Sequence, residues 1–117
     1  MKIAVIPNLD KRDADTYTRE ILAVLQENGA ETLMHEKHRG QYEHVTFCKN
    51  HAALAESCDL IVAVGGDGTI IHTAKHASVA GKPILGVNLG RLGFLAGVEK
   101  DELHKLKALF TGDYRVR

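Results

Sequence analysis

The sequence is short of several things, and each shortage excludes something. Tryptophan is absent and aromatics make up only 5% of the 117 residues, so an aromatic stacking platform for single-stranded nucleic acid is not available. Formal net charge is zero, with fifteen basic and fifteen acidic residues. No general attraction for nucleic acid or an anionic membrane surface follows from that balance. No apolar run approaches the roughly 20 residues that cross a bilayer. The opening MKIAVIPNLD is too short in apolar residues for a secretory leader. Only two cysteines, Cys48 and Cys58, and two prolines occur. The ten-residue separation of the cysteines is no metal-knuckle spacing, and such sparse usage fits a reduced, cytoplasmic protein with small buried thiols.

What remains is ordinary for one globular domain: 44% apolar and 26% charged residues, in a chain long enough to bury a small core. KIAVIP (2–7) is a β-branched run stopped by proline and reads as a strand. A helix follows, with Asp13 or Asp15 as its cap, Thr18, Ile21, Leu22 and Leu25 on one face, and Gly29 at its end. Residues 30–36 read as a second strand. Residues 37–50 lack a clean period and read as a solvated excursion carrying His35, His38 and His44 at its edges, with a short strand near 44–47. HAALAES (51–57) suits a short helix, and DLIVAV (59–64) a central strand apolar on both faces. A helix over 69–80 closed by Gly81, a strand over 82–88, a glycine-rich apolar stretch at 89–97 and a helix over 99–110, with Leu103, Leu106 and Phe110 on one face, complete the pattern. Strands alternating with helices predict an α/β three-layer domain around an open parallel sheet of four to five strands, Rossmann- or flavodoxin-like.

The chemistry concentrates in LIVAVGGDGTIIHTAKHA (60–77). In open parallel sheets, ligands bind beyond the carboxyl ends of strands, and Gly65, Gly66, Gly68 and Thr69 occupy such an end. Glycines there permit positive φ and close backbone approach, and the first turn of the next helix favours an anion. Asp67 is the odd member, because a carboxylate beside a phosphate turn repels phosphate unless it has another task. It can hold Mg²⁺, accept a proton from a hydroxyl, or cap the helix. Two familiar motifs are missing. There is no Gly-Lys-Ser/Thr, and Gly66–Ile71 carries isoleucine where the dinucleotide fingerprint needs its last glycine. His72 and His76 stand four apart on the expected helix, but Thr73 replaces the glutamate of the zinc-protease pattern and no third ligand is evident. No metal site is expected. Lys75 and Lys82 fit the negative pole at that helix's end. Arg91 suits a phosphate or a surface pair. Asn88 suits a loop-bracing role. Phe94 offers either an adenine-facing ring or a sheet-edge cover.

GGDGT at 65–69, followed some twenty residues later by NLGRLGFL at 88–95, resembles the NAD kinase family. GGDGT is shared with lipid kinases and more distantly with phosphofructokinases, whereas NLGRLGFL is closer to NAD kinases. The resemblance covers nearly the whole chain. It implies transfer of a phosphoryl group from Mg-ATP or polyphosphate to the 2′-hydroxyl of the adenosine ribose of NAD. It assigns Asp67 as the proton acceptor, Gly68, Ile71, Leu92, Gly93 and Phe94 to the NAD pocket, and His72 to a place where some members carry a basic residue. Mg²⁺ with ATP is the implied cofactor, and NAD with ATP or polyphosphate the implied small-molecule partners, with homo-oligomers common among full-length members. The family's second, β-rich domain supplies an Asn-Glu or Asn-Asp pair. Neither pair occurs here, so residues 1–117 are expected to be the N-terminal domain alone and to show negligible kinase activity. A lipid kinase domain and a non-catalytic flavodoxin-like binding module stand as the other readings.

Overall fold

The computed structural model describes residues 1–11 and 13–89 together with the backbone of Val98–Glu99. The expected helix over 99–110 and the loop residues Arg91, Leu92, Gly93 and Phe94 lie outside the described residues, except that Glu99 is strand rather than the start of a helix.

The elements run β1 (Lys2–Pro7), α1 (Ala14–Glu27), β2 (Glu31–His35), a 3₁₀ turn (Glu36–His38), β3 (Val45–Cys48), α2 (His51–Ser57), β4 (Leu60–Gly65), α3 (Asp67–Ala80), β5 (Ile84–Asn88) and the two-residue β6 (Val98–Glu99). All pairings are parallel, in the order β3-β2-β1-β4-β5-β6. Five substantial strands thus match the expected sheet, and β6 adds a short sixth.

Alternation along the strands divides the core between two faces. Ile3, Val5, Val62 and Val64 pack with Ile21, Leu22 and Leu25 of α1. Ala4, Ile61 and Ala63 pack with Leu54 of α2 and Ile70 and Ala77 of α3. Every residue of β4 is buried, as a central parallel strand covered by helices on both faces requires.

Several helix ends differ from expectation. Asp13 stands at the N-cap of α1, but its backbone is left-handed (φ 64°) and its side chain caps nothing. Asp15 instead accepts hydrogen bonds from Tyr42 Oη (2.8 Å) and Arg19 Nε (3.1 Å). The excursion between β2 and β3 is therefore tied to α1 rather than solvated throughout. His38 is buried within it, edge-on to Tyr42, and burial lowers its pKa. His44 is exposed and His35 half-buried. The N-cap of α2 is Asn50, whose Oδ1 accepts from Ala53 N–H at 2.8 Å. Lys82 does not serve α3: its ammonium donates to the Cys58 carbonyl at the end of α2 (2.7 Å). Both cysteines are free, and burial pushes each thiol up, away from thiolate reactivity.

Candidate active site

Strand order places the site. Connections from β1 lead to β2 on one side of the sheet, and β4 leads on to β5 on the other, so the order reverses between β1 and β4. Ligands bind at that reversal in open α/β sheets. A cleft of about 570 Å³ opens there, lined by Ile6 and Pro7 at the end of β1, by Asn8 and Lys11 after it, by Gly66 and then Asp67, Gly68, Thr69, His72 and Thr73 on α3, and by Lys37 and His51.

Why the glycines are needed becomes clear at atomic level. None of Gly65, Gly66 and Gly68 has positive φ, so the left-handed freedom that glycine permits is not used here. Contact is the cause at Gly65, whereas at Gly66 the neighbour is the flexible end of a lysine that can yield. A Cβ on Gly65 would lie 2.8 Å from Thr69 Oγ1 and 2.9 Å from Thr69 Cβ, so the first turn of α3 sits against the end of β4. A Cβ on Gly66 would lie 3.1 Å from Lys11 Cε and 3.2 Å from its Nζ. Gly68 faces open space.

Asp67 is not the N-cap. Gly66 holds that position, and Asp67 is the first helical residue. Its Oδ1 accepts a hydrogen bond from Asn88 Nδ2 at 3.0 Å. The register explains the meeting: Asn88, the last residue of β5, pairs with Gly65, two residues before Asp67. Asn88 is buried, so the carboxylate is held from beneath while Asp67 itself stays exposed at the cleft. Asn88 therefore braces the acid rather than only a loop backbone. Across the cleft, Asn8 Nδ2 donates to Thr69 Oγ1 at 3.1 Å, stitching β1 to the glycine turn. Asn8 Oδ1 also accepts from Asp10 N–H at 3.1 Å, which shapes the loop that carries Lys11.

The structure brings together Gly66, Asp67, Gly68, Thr69 and His72 around one cavity, with Gly65 directly behind them. Ile71 lies on the exposed side of α3, 46% accessible, and does not line the cleft. Sequence reasoning missed Asn8, Lys11, Lys37 and His51. For Asn8 and Lys11 a signal existed: they are the polar residues that follow the first strand of the sheet, on the side where ligands bind. His72 and His76 approach each other with ring centroids 5.1 Å apart. Among the described residues no group of three His, Cys, Asp or Glu is placed to hold a metal ion.

Residues 3–114 match the ATP-NAD kinase N-terminal domain. The chain belongs to the NAD kinase family. Its relatives include the NAD kinase of Acetivibrio thermocellus, 36% identical over 121 residues that cover 99% of this chain and 42% of that protein. The NAD kinase of Ruminiclostridium cellulolyticum is 35% identical over 104 residues, 89% of this chain and 36% of its own length. This chain thus spans about two fifths of the NAD kinases it matches. In three dimensions it resembles yeast NADH kinase, solved with NADH, at a TM-score of 0.77 and 19% identity, covering 97% of this chain and 38% of that one. A weaker likeness, TM-score 0.56 at 18% identity, relates it to a Clostridium botulinum CMP N-glycosidase over 92% of this chain and 99% of that one. At these identities both structures speak for the fold only. The fold and the NAD kinase family agree with the sequence reading.

Proposed function

We propose that this chain is the N-terminal α/β domain of an enzyme that phosphorylates the 2′-hydroxyl of the adenosine ribose of NAD, giving NADP, with Mg-ATP or polyphosphate as donor. Asp67 is the acceptor for the hydroxyl proton. The observation that carries this reading is the pose of Asp67: an exposed carboxylate on the first turn of a helix, at the sheet's reversal point, engaged by Asn88 rather than by a helix N–H. One oxygen is fixed by the Asn88 amide, which leaves the other as the acceptor for a sugar hydroxyl. In phosphoryl transfer, positioning the nucleophile counts for more than strong proton abstraction, and a carboxylate braced by a buried amide is a positioning device. The amides of the first turn of α3 and the Lys11 ammonium beside Gly66 favour phosphate next to that hydroxyl. Gly68, with open space where a Cβ would stand, permits close approach of the dinucleotide. His72 lines the same cleft and is assigned to the ligand; Ile71, Leu92, Gly93 and Phe94 are assigned to the NAD pocket on the family pattern alone.

Mg²⁺ fits this cleft as a companion of the donor. Asp67, the only carboxylate among the described lining residues, is taken up by Asn88 and the sugar hydroxyl in this reading, so the ion would be held by the donor's phosphates and water. When bound, it would neutralise charge on the transferring phosphoryl group. The NAD kinase match favours this reading over a lipid kinase or an independent binding module.

The test is Asp67→Asn in a protein of the relatives' full length. NADP formation is expected to fall by about 10²–10⁴-fold, the usual range for losing a positioned base, with an unchanged circular dichroism spectrum. Turnover within a few-fold of the parent would remove Asp67 from the chemistry.

A further inference from the structure

Asn8 has no task in the reaction proposed for Asp67, yet it is bonded to the parts of the cleft that reaction would use. It stands one residue past β1, and its backbone N–H donates to the Val64 carbonyl at 2.8 Å, where the ladder between β1 and β4 runs out. Its own carbonyl accepts from Lys11 N–H at 3.2 Å, and its Oδ1 accepts from Asp10 N–H at 3.1 Å. Its Nδ2 donates to Thr69 Oγ1 at 3.1 Å. The backbone N–H of Asp10 can only donate, so the side-chain atom facing it is the oxygen, and the nitrogen is left for Thr69. One planar amide thus holds two segments at once. On one side is the loop that lays Lys11 Nζ 3.2 Å from where a Cβ on Gly66 would stand. On the other is Thr69, in the first turn of α3, two residues beyond Asp67. Among the described residues, Asn8–Thr69 is the one hydrogen bond between residues 8–11 and that first turn.

We infer that Asn8 is a positioning residue: acting through Thr69 and through the loop 8–11, it keeps the Asp67 carboxylate and the Lys11 ammonium in register with each other. The inference rests on the proposed role of Asp67. An in-line transfer needs the acceptor hydroxyl and the incoming phosphate fixed relative to one another, and a small misplacement costs rate more than it costs binding. The two groups lie on separate segments, one after β1 and one after β4, so register between them requires a link across the gap. The residue type fits that task. An amide presents a donor and an acceptor in one rigid plane, whereas aspartate has no donor and alanine has neither. Thr69 is a firm anchor, because its side chain packs against the end of β4 in the space that Gly65 leaves open. Asn88 holds the Asp67 carboxylate from β5. Asn8 holds the same turn from β1, so the first turn of α3 is gripped from both neighbours of β4.

Steady-state kinetics in a protein of the relatives' full length, beside amide NMR spectra of the 117-residue chain, test it. Asn8→Ala and Thr69→Val are each expected to lower kcat by about 10- to 100-fold, the scale of a small misplacement, with KM for NAD within about threefold of the parent. Thr69→Ser keeps the hydroxyl and should recover most of the rate that Thr69→Val loses. The double variant Asn8→Ala/Thr69→Val should be no slower than Asn8→Ala alone, because the shared bond is lost only once. In the 117-residue chain, both single variants should shift the Asp67 and Gly68 amide resonances and leave those of Ile21 and Leu25 in place, which shows that the fold is kept. Should Asn8→Ala fail to fold, the comparison of Thr69→Val with Thr69→Ser decides alone, since it alters only the accepting side of the bond. Parental kcat in Asn8→Ala, equal rate loss in Thr69→Ser and Thr69→Val, losses that multiply in the double variant, or unmoved Asp67 and Gly68 resonances would each overturn the inference. A purely structural Asn8 would change the folded fraction and leave kcat per folded molecule untouched. Asp67→Asn separates the inference from the reading beneath it. Lost turnover there with parental kcat in Asn8→Ala sinks the positioning role alone. Retained turnover there with kcat still lowered by Asn8→Ala sinks the base alone.

Discussion

Gly65 and Gly68 flank the same aspartate and do opposite things. At Gly65 a methyl group would strike Thr69, whose Oγ1 is already committed to Asn8. At Gly68 a methyl group meets nothing. Gly65→Ala is therefore expected to destabilise the chain by about 1–3 kcal/mol, the ordinary penalty for overpacking. Gly68→Ala sits in a helix with negative φ, so it should stabilise by up to about 1 kcal/mol through helix propensity. The same change should weaken NAD binding in a full-length protein if the dinucleotide approaches there. Urea denaturation midpoints for the two variants, read beside NAD titrations, check both signs. Equal destabilisation by both would mean the turn tolerates no side chain anywhere, and the steric account of Gly65 would fail. The sequence shows that glycines matter at 65–69, for positive φ or for close backbone approach, and of these two the structure makes no use of positive φ at Gly65, Gly66 or Gly68. The deciding contact at Gly65 comes from Thr69, four residues on.

Among the elements, legibility follows how local the cause is. The stripe Thr18, Ile21, Leu22, Leu25 is a property of one helix, and all four are buried as the period predicts. β4 is apolar throughout because it is central, and that too is visible in one segment. The region 36–44 is different, because what orders it is α1. Tyr42 is 4% exposed, donates to Asp15, and carries the Arg19 guanidinium over its ring at 4.9 Å, while Arg19 also donates to the Gln41 carbonyl at 3.1 Å. No periodicity within 36–44 reports this. Tyr42→Phe should cost about 1 kcal/mol, the net value of one hydrogen bond, since the ring stays packed. Its pH dependence has a definite sign. The Tyr42 hydroxyl, then Arg19, hold the Asp15 carboxyl below its usual value. The associated stability is present above the unfolded value of about 3.9 and is lost as pH falls through the lower folded value. The gap between wild type and Tyr42→Phe should thus narrow below roughly pH 4, measured by urea melts across pH. A gap that widens on acidification would show that Asp15 is not the partner that matters. The exposure of Asp15 keeps the effect small.

At the scale of the molecule, the sheet order converts distant segments into one cavity. Asn8 and Lys11 reach the glycine turn because β1 and β4 are neighbours, and Lys37 and His51 join them because they follow the carboxyl ends of the parallel strands β2 and β3. A linear reading sees the glycine turn, whose residues are contiguous, and not the basic side chains of the cleft, which come from separate segments. Size then limits what this cavity can do. A volume of about 570 Å³ is that of a site for one small ligand, whereas the proposed reaction must hold a dinucleotide and a nucleoside triphosphate in line. Most of the rate advantage in such a transfer comes from fixing both reactants in register. The described lining residues offer one carboxylate, Asp67, and a few basic side chains, and the NAD kinases matched here are more than twice as long as this chain. We therefore predict that the purified 117 residues form negligible NADP from NAD and Mg-ATP, followed by enzymatic cycling assay over hours, while a protein of the relatives' length carrying the same residues turns over. NADP accumulating in proportion to the amount of the 117-residue chain, and vanishing with Asp67→Asn, would show that the cleft by itself orders both substrates.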